Sequence, residues 1–430
     1  MIGLRRQTAI YRAGVSGSRP RIPTDANGLE RRARRAMSKE AFAYIAGGAG
    51  SGATIRANRA GFERHRIVPR MLRDVSERDS SVELLGRRLP SPFLLSPVGV
   101  LEMVDDDADA GAARGAAAEG VPMIFSNQAS RPMEEVAAAM GDAPRWFQLY
   151  WSTSDELVAS FVRRAEACGC EAIVVTLDTT MLGWRPHDLE LGYLPFLRGK
   201  GIAQYTSDPV FRRTSEAVAS AQRETGAAEP AELGPGEQPK PTPSALRTLV
   251  QLTRAYPDGF VASLRSGQAR AAVQTFTRIY SRPSLTWEQL PYLREHTRLP
   301  ILLKGILHPD DARRAVDEGI DGIVVSNHGG RQLDGAIATF DALPHVVEAV
   351  DGRVPVLLDS GVRGGADAFK ALALGATAVG IGRPFAYALA IAGEAGVQEL
   401  LQNMKAEFDL TLGLAGCRSV AEIGPEALAS

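Results

Sequence analysis

Cysteine is scarce in this chain: three occur among 430 residues, at Cys168, Cys170 and Cys417. So sparse and odd a set of thiols excludes a disulfide scaffold and suits a reducing compartment, so a cytoplasmic protein is expected. Cys168 and Cys170 have no nearby His or second thiol pair to complete a metal site, and no metal is expected. Net charge is lacking too. With 49 Lys and Arg against 50 Asp and Glu the formal charge is −1, which argues against nucleic acid or an anionic membrane as partner. Arg31, Arg32, Arg34 and Arg35 are a local exception and read as the solvated face of a helix. No apolar run approaches the ~20 residues of a membrane-spanning helix. The opening residues carry no charged start followed by a continuous apolar stretch, so no secretory signal is expected.

What is present is a rhythm. From about residue 92 the sequence alternates short apolar runs with amphipathic segments: PFLLSPVG, VPMIFSN, RWFQLYW, EAIVVTLD, LPILLKG, DGIVVSN, VPVLLDS and ATAVGIG. Each run is nearly all apolar, as parallel strands buried on both faces require, and stretches such as PDDARRAVDEG and GADAFKALALG supply helices with glycine stops. Eight such units with no ninth predict an α/β protein, a closed (β/α)8 TIM barrel over 92–395. Residues 1–91 are expected to form a helical and irregular cap ending in a hairpin near SVELLGRRLP, and 396–430 a helical tail. A long loop, about 179–285, interrupts the rhythm after the fourth strand, and Glu224 to Pro243 is expected to be its mobile part.

Active sites of such barrels lie at the carboxyl ends of the strands. The run ends bring Gly99, Ser126, Gln148, Tyr150, Thr176, Asp178, Lys304, Ser326, His328, Asp359, Gly382 and Arg383 to one mouth. In DSGVRGG and IGRP, glycines with Arg363 and Arg383 open onto helix N-termini after strands seven and eight, which predicts a phosphate-bearing ligand. No Gly-x-Gly-x-x-Gly opens a strand–helix–strand unit with an acidic partner downstream, so a Rossmann dinucleotide site is not expected. In SNHGGRQLDG, Arg331 suits a carboxylate and His328 can take a proton, with Asp178 placed to orient the ring.

Taken together, SNHGGRQ, LLKG, WFQLYW, TLDT, DSGVRGG and GIGRPF resemble the FMN-dependent 2-hydroxy-acid oxidase and dehydrogenase family, from about Ala36 to the C-terminal helices. Within it, AYIAGGAG, PRML, SPVGV, LGWRPHDL, YLPFLRG, HPDDARRAVD and DSG in place of the commoner DGG resemble the lactate 2-monooxygenase subgroup most. The resemblance implies FMN as cofactor and His328 as base, supported by Asp178. It implies that Tyr150 binds the substrate hydroxyl, while Arg331, Tyr44 and Arg185 hold its carboxylate. Pro97, Val98 and Gly99 would lie along the flavin ring, with Ser126, Gln148 and Thr176 on its heteroatoms. Lys304 would sit at the pyrimidine end, and Ser326 would support the flavin. Asp359, Gly361, Arg363, Gly382 and Arg383 would hold the ribityl chain and phosphate.

The implied reaction is oxidation of a small, lactate-like L-2-hydroxy acid to the 2-keto acid, with O2 as acceptor and oxidative decarboxylation to follow. Gly99 and the loop containing Trp184 match the monooxygenase subgroup, which is why that last step is expected. A homo-tetramer or octamer is implied as well. An oxidase releasing H2O2, or a dehydrogenase passing electrons to a quinone or a protein, would share every motif. A phosphate-binding isomerase or synthase barrel would share only the last two loops, and a non-catalytic scaffold would have no need of His328, Arg331 and Lys304. Gln128 departs from the aromatic or aliphatic residue usual in the family, and Asn127, Ala129, Arg131, His187 and the segment 205–285 also fit it poorly.

Overall fold

All eight apolar runs form strands: β1 (Phe93–Leu95), β2 (Met123–Phe125), β3 (Arg145–Leu149), β4 (Ile173–Thr176), β5 (Ile301–Ile306), β6 (Gly322–Val325), β7 (Val356–Leu358) and β8 (Ala378–Ile381). The computed structural model describes residues 2–225 and 242–429. In it the strands close into one parallel barrel, ordered β7-β8-β1-β2-β3-β4-β5-β6. Closure is made by β8 on β1, with Val379 opposite Phe93 and Ile381 opposite Leu95.

Side chains alternate along a strand, so every second residue faces the barrel interior. Leu94, Ile124, Trp146, Val174, Leu302, Val324, Leu357 and Ala378 form one buried apolar layer together with Val82, Leu84 and Leu89. The last three belong to the hairpin Val82–Leu84 and Arg87–Leu89, which plugs the barrel's amino end. Their neighbours along the strands, such as Phe147, Val175, Leu303 and Val325, pack outward against the ring of helices. Two residues beyond the apolar layer, the inward positions become Ser96, Ser126, Gln148, Thr176, Lys304, Ser326, Asp359 and Gly380. The same period that fills the barrel with hydrocarbon thus ends it in a polar layer.

Short helices cap the mouth. Asp25 accepts from Gly28 N at 2.7 Å to start Ala26–Ala36, and Ser38 accepts from Ala41 N at 3.1 Å to start Lys39–Ala46. The second of these carries buried Tyr44 to the site, while Arg31, Arg32, Arg34 and Arg35 remain on the exposed face of the first. After β8 the helical run Arg383–Ala415 is broken at Ala392 and Gly393, so the expected boundary near residue 395 lies just past a kink. Among the described residues no helix is long and apolar enough to cross a membrane.

The segment after β4, expected as a long loop, is largely helical where it is described. It contains Pro209–Thr225, Pro243–Ala255, Phe260–Ser266 and Gln268–Ile279. Residues 226–241 of the stretch expected to be mobile lie outside the described residues. Rings hold the insertion to the barrel: Tyr205 stands edge-on to Phe161 at 5.1 Å and to Phe276 at 4.8 Å, and Phe276 meets Phe196 at 5.2 Å and Tyr280 at 4.9 Å. Phe161 belongs to the barrel helix Asp155–Ala167, so this cluster decides where Phe196 and Tyr280 sit at the mouth. Phe276→Ala is expected to destabilise the protein by ~3–5 kcal/mol. The denaturant midpoint checks this, and an unchanged midpoint would show that the insertion packs independently of the ring cluster.

Candidate active site

The polar layer is wired across the strands. Ser126 Oγ donates to Gln148 Oε1 at 3.3 Å, and Gln148 Nε2 donates to Thr176 Oγ1 at 3.0 Å, which links the ends of β2, β3 and β4. On the other side Lys304 Nζ donates to Ser326 Oγ at 2.8 Å and pairs with Asp359 Oδ2 at 3.2 Å. Burial opposes a charge on Lys304, but Asp359 and Asp178 outweigh it and hold the ammonium above its ordinary pKa. Lys304 therefore stays cationic at neutral pH.

Above this layer His328 Nδ1 lies 2.8 Å from Asp178 Oδ1, joining the loops that follow β6 and β4. The approach depends on Gly305, with φ +105°, because a Cβ there would lie 3.0 Å from that of Asp178. His328 itself has φ +56°, a conformation rare outside glycine, and its N–H donates to Ser326 Oγ at 3.1 Å. Burial, opposed by Asp178, leaves the imidazole below its ordinary pKa. Burial would raise Asp178, but the hydrogen bond from His328 and the charge of Lys304 hold it below the usual carboxylate value. The pair rests as neutral imidazole and ionised carboxylate.

A cavity opens over the pair, with about 1070 Å³ of empty space when the solvent at its open mouth is counted. Of the residues expected at the site, Tyr44, Pro97, Val98, Gly99, Tyr150, Arg185, Lys304, His328, Arg331, Asp359, Gly361, Arg363, Gly382 and Arg383 line it. Ser126, Gln148, Thr176, Ser326 and Asp178 are not on its surface; they stand behind it through the hydrogen bonds just described.

Charge in the lining is unbalanced. Arg185, Lys304, Arg331, Arg363 and Arg383 face it, against Asp359 as the one carboxylate. Burial and then the charge of Arg185 push Arg331 down to about 9, and burial and then Arg383 push Arg363 down to about 10. Arg331 packs 4.9 Å over the Tyr44 ring and donates to the carbonyls of Tyr44 and Gly47. Arg383 is held more fully, donating to the carbonyls of Ile45, Gly47 and Gly329 at 3.1, 2.8 and 2.8 Å. Burial raises Tyr150 to about 12, so its phenol keeps its proton. This excess of cations calls for anionic ligands.

The comparisons with known proteins agree with this chemistry. Residues 33–430 match the family model described as FMN-dependent dehydrogenase. The chain belongs to that family. It is similar to an L-lactate oxidase of Lysinibacillus sphaericus, 41% identical over 91% of this chain and 89% of the relative. It is likewise similar to an FMN-dependent alpha-hydroxy acid dehydrogenase of Penicillium citrinum, 42% identical over 97% of this chain and 93% of the relative. Among solved structures, mandelate oxidase with (S)-4-hydroxymandelic acid superposes with TM-score 0.75 at 36% identity, covering 95% of this chain and 98% of the other. As a member of the FMN-dependent dehydrogenases, the protein is an FMN-dependent 2-hydroxy acid oxidoreductase.

The residues present fit FMN. The lining places a cationic, glycine-bearing end at Gly361, Arg363, Gly382 and Arg383, and a second cation at Lys304. Near His328, Asp178 Oδ2 and Thr179 Oγ1 are buried without a protein partner. The sequence reading missed several lining residues: Ser96, Thr179, Met181, Phe196, Tyr280 and Ser360. Phe196 sits within the quoted YLPFLRG motif, whereas Tyr280 comes from a stretch with no legible pattern.

The lowered imidazole sets a pH dependence for kcat/KM, which reports the free enzyme's groups. The rate should rise with pH as His328 loses its proton, below the ordinary imidazole value, and a profile that falls through that range would contradict a neutral His328 as the working form.

Proposed function

We propose that this enzyme oxidises a small, lactate-like L-2-hydroxy acid to the 2-keto acid, with O2 as electron acceptor. The observation that carries the reading is the His328–Asp178 contact of 2.8 Å beside Arg331 and Arg185 on the cavity lining. An ionised Asp178 favours the tautomer with the proton on Nδ1, which leaves Nε2 as the base. Nε2 takes the substrate's proton, and Asp178 then stabilises the imidazolium. Arg331, Arg185 and Tyr44 hold the substrate carboxylate and so fix the 2-carbon against the base. Tyr150, kept protonated by burial, hydrogen-bonds the substrate hydroxyl.

Bound FMN supplies the two-electron acceptor. Pro97, Val98 and Gly99 are assigned to its ring, and Ser126, Gln148 and Thr176 to its heteroatoms. Lys304 is assigned to the pyrimidine end, where a fixed cation favours added negative charge. Ser326 holds Lys304, while Asp359, Gly361, Arg363, Gly382 and Arg383 serve the ribityl chain and phosphate. Because its guanidinium is tied to three carbonyls, Arg383 acts through the N-terminus of its helix, and Arg363 is the side chain left for the phosphate.

The likeness to an L-lactate oxidase favours a small substrate. The reading extends to decarboxylation: peroxide and 2-keto acid retained together yield the shorter acid, CO2 and water. Two features support retention. Gly99 packs so closely that a Cβ would lie 3.0 Å from the Gln128 carbonyl oxygen, and Thr179, Met181, Leu182, Phe196 and Tyr280 wall the cavity beside it.

His328→Gln should keep bound flavin yet slow its anaerobic reduction by ~10²–10⁴-fold; near-normal bleaching by the best substrate would remove the histidine from this role. With L-lactate under air, acetate should accumulate in place of pyruvate. Stoichiometric free peroxide would make the enzyme a plain oxidase.

A further inference from the structure

Gln332 lies outside the chemistry assigned above, yet both ends of its carboxamide are engaged. Nε2 donates to the carbonyls of Asp178 and Met181, each at 2.8 Å. Oε1 accepts from Arg185 Nη2 at 2.7 Å and from Gly183 N at 3.4 Å. Arg185 also donates through Nε to the Arg331 carbonyl at 3.1 Å. The loops after β4 and β6 touch main chain to main chain here, since a Cβ on Gly183 would lie 2.5 Å from the Gln332 carbonyl oxygen.

A long arginine side chain samples many rotamers, and a hydrogen bond on each of two nitrogens removes much of that freedom. Arg185 is 7% exposed and lines the cavity. The two bonds use Nε and Nη2, so Nη1 is the guanidinium nitrogen left for a ligand. A neutral amide suits this place. Its oxygen meets a guanidinium while its NH2 meets two carbonyls, and neither a carboxylate nor an ammonium could satisfy both sides.

We propose that Gln332 is a positioning residue that sets Arg185 for the substrate carboxylate, and so controls carboxylate affinity without touching substrate. The inference rests on the carboxylate role given to Arg185 above.

The test uses the FMN-loaded enzyme and oxalate as carboxylate probe, with binding read from the flavin absorbance change. Q332M keeps the shape and removes the hydrogen bonds. It should weaken oxalate ~10-fold, as loss of bonds to a charged group does, with flavin content and the bleaching rate at saturating substrate near the parent's. R185M should weaken oxalate at least as much. The double variant should bind about as R185M does, because Gln332 acts through Arg185. Parent-like affinity in Q332M, or losses that multiply in the double variant, would overturn the inference alone. Oxalate that fails to bind the parent, or that binds R185M normally, would overturn the carboxylate site and the inference with it. If Q332M does not fold, Q332E serves. Its charge neutralises Arg185 and faces two carbonyls, so oxalate should weaken again, and parent-like binding would reject the proposal.

Discussion

A closed barrel forces alternate side chains of all its strands toward one axis, and the site follows from that constraint. Hydrocarbon fills the interior at Leu94, Ile124, Trp146, Val174, Leu302, Val324 and Leu357. One step along, the same inward direction holds Ser96, Ser126, Gln148, Thr176, Lys304, Ser326 and Asp359. No strand could supply this layer alone. The barrel brings it together and buries it, and burial obliges its members to find partners in one another. The resulting links, Ser126–Gln148–Thr176 and Ser326–Lys304–Asp359, form a rigid polar base beneath the cavity.

Electrostatics build on that base. Asp178 remains ionised in a buried place because His328 and Lys304 face it, and His328 remains neutral because burial outweighs the pull of Asp178. The two effects push the partners toward the protonation states a base and its support require. Around them the arginines are left in excess, an arrangement that burial makes unfavourable until anions enter. A phosphate at one end and a carboxylate at the other would restore the balance.

Much of this was legible before any coordinates. Parallel strands buried on both faces leave continuous apolar runs, and all eight were visible along with the polar residues that end them. His328, Arg331 and Asp178 stood out because the strand ends break the apolar pattern with polar types that a core has no use for. The insertion was not legible in the same way. Its helices are held by rings far apart in sequence, Phe161, Tyr205 and Phe276, and no local period announces a contact between distant segments. Tyr280 reaches the cavity by that route and left no signal. Gln332 lay in plain view within SNHGGRQ, but its use depends on the carbonyls of another loop.

Strand period and motif spacing, local properties written in consecutive residues, were enough for the barrel, the family and many of the side chains at the mouth. Tertiary structure decided how those side chains divide. Ser126, Gln148, Thr176, Ser326 and Asp178 stand behind the cavity surface, and of the two arginines on the lining Arg383 is tied to three main-chain carbonyls and Arg363 to one. That division depends on which backbone atoms other segments bring within hydrogen-bonding distance. Only the closed fold sets those distances, since the partners lie tens to hundreds of residues away.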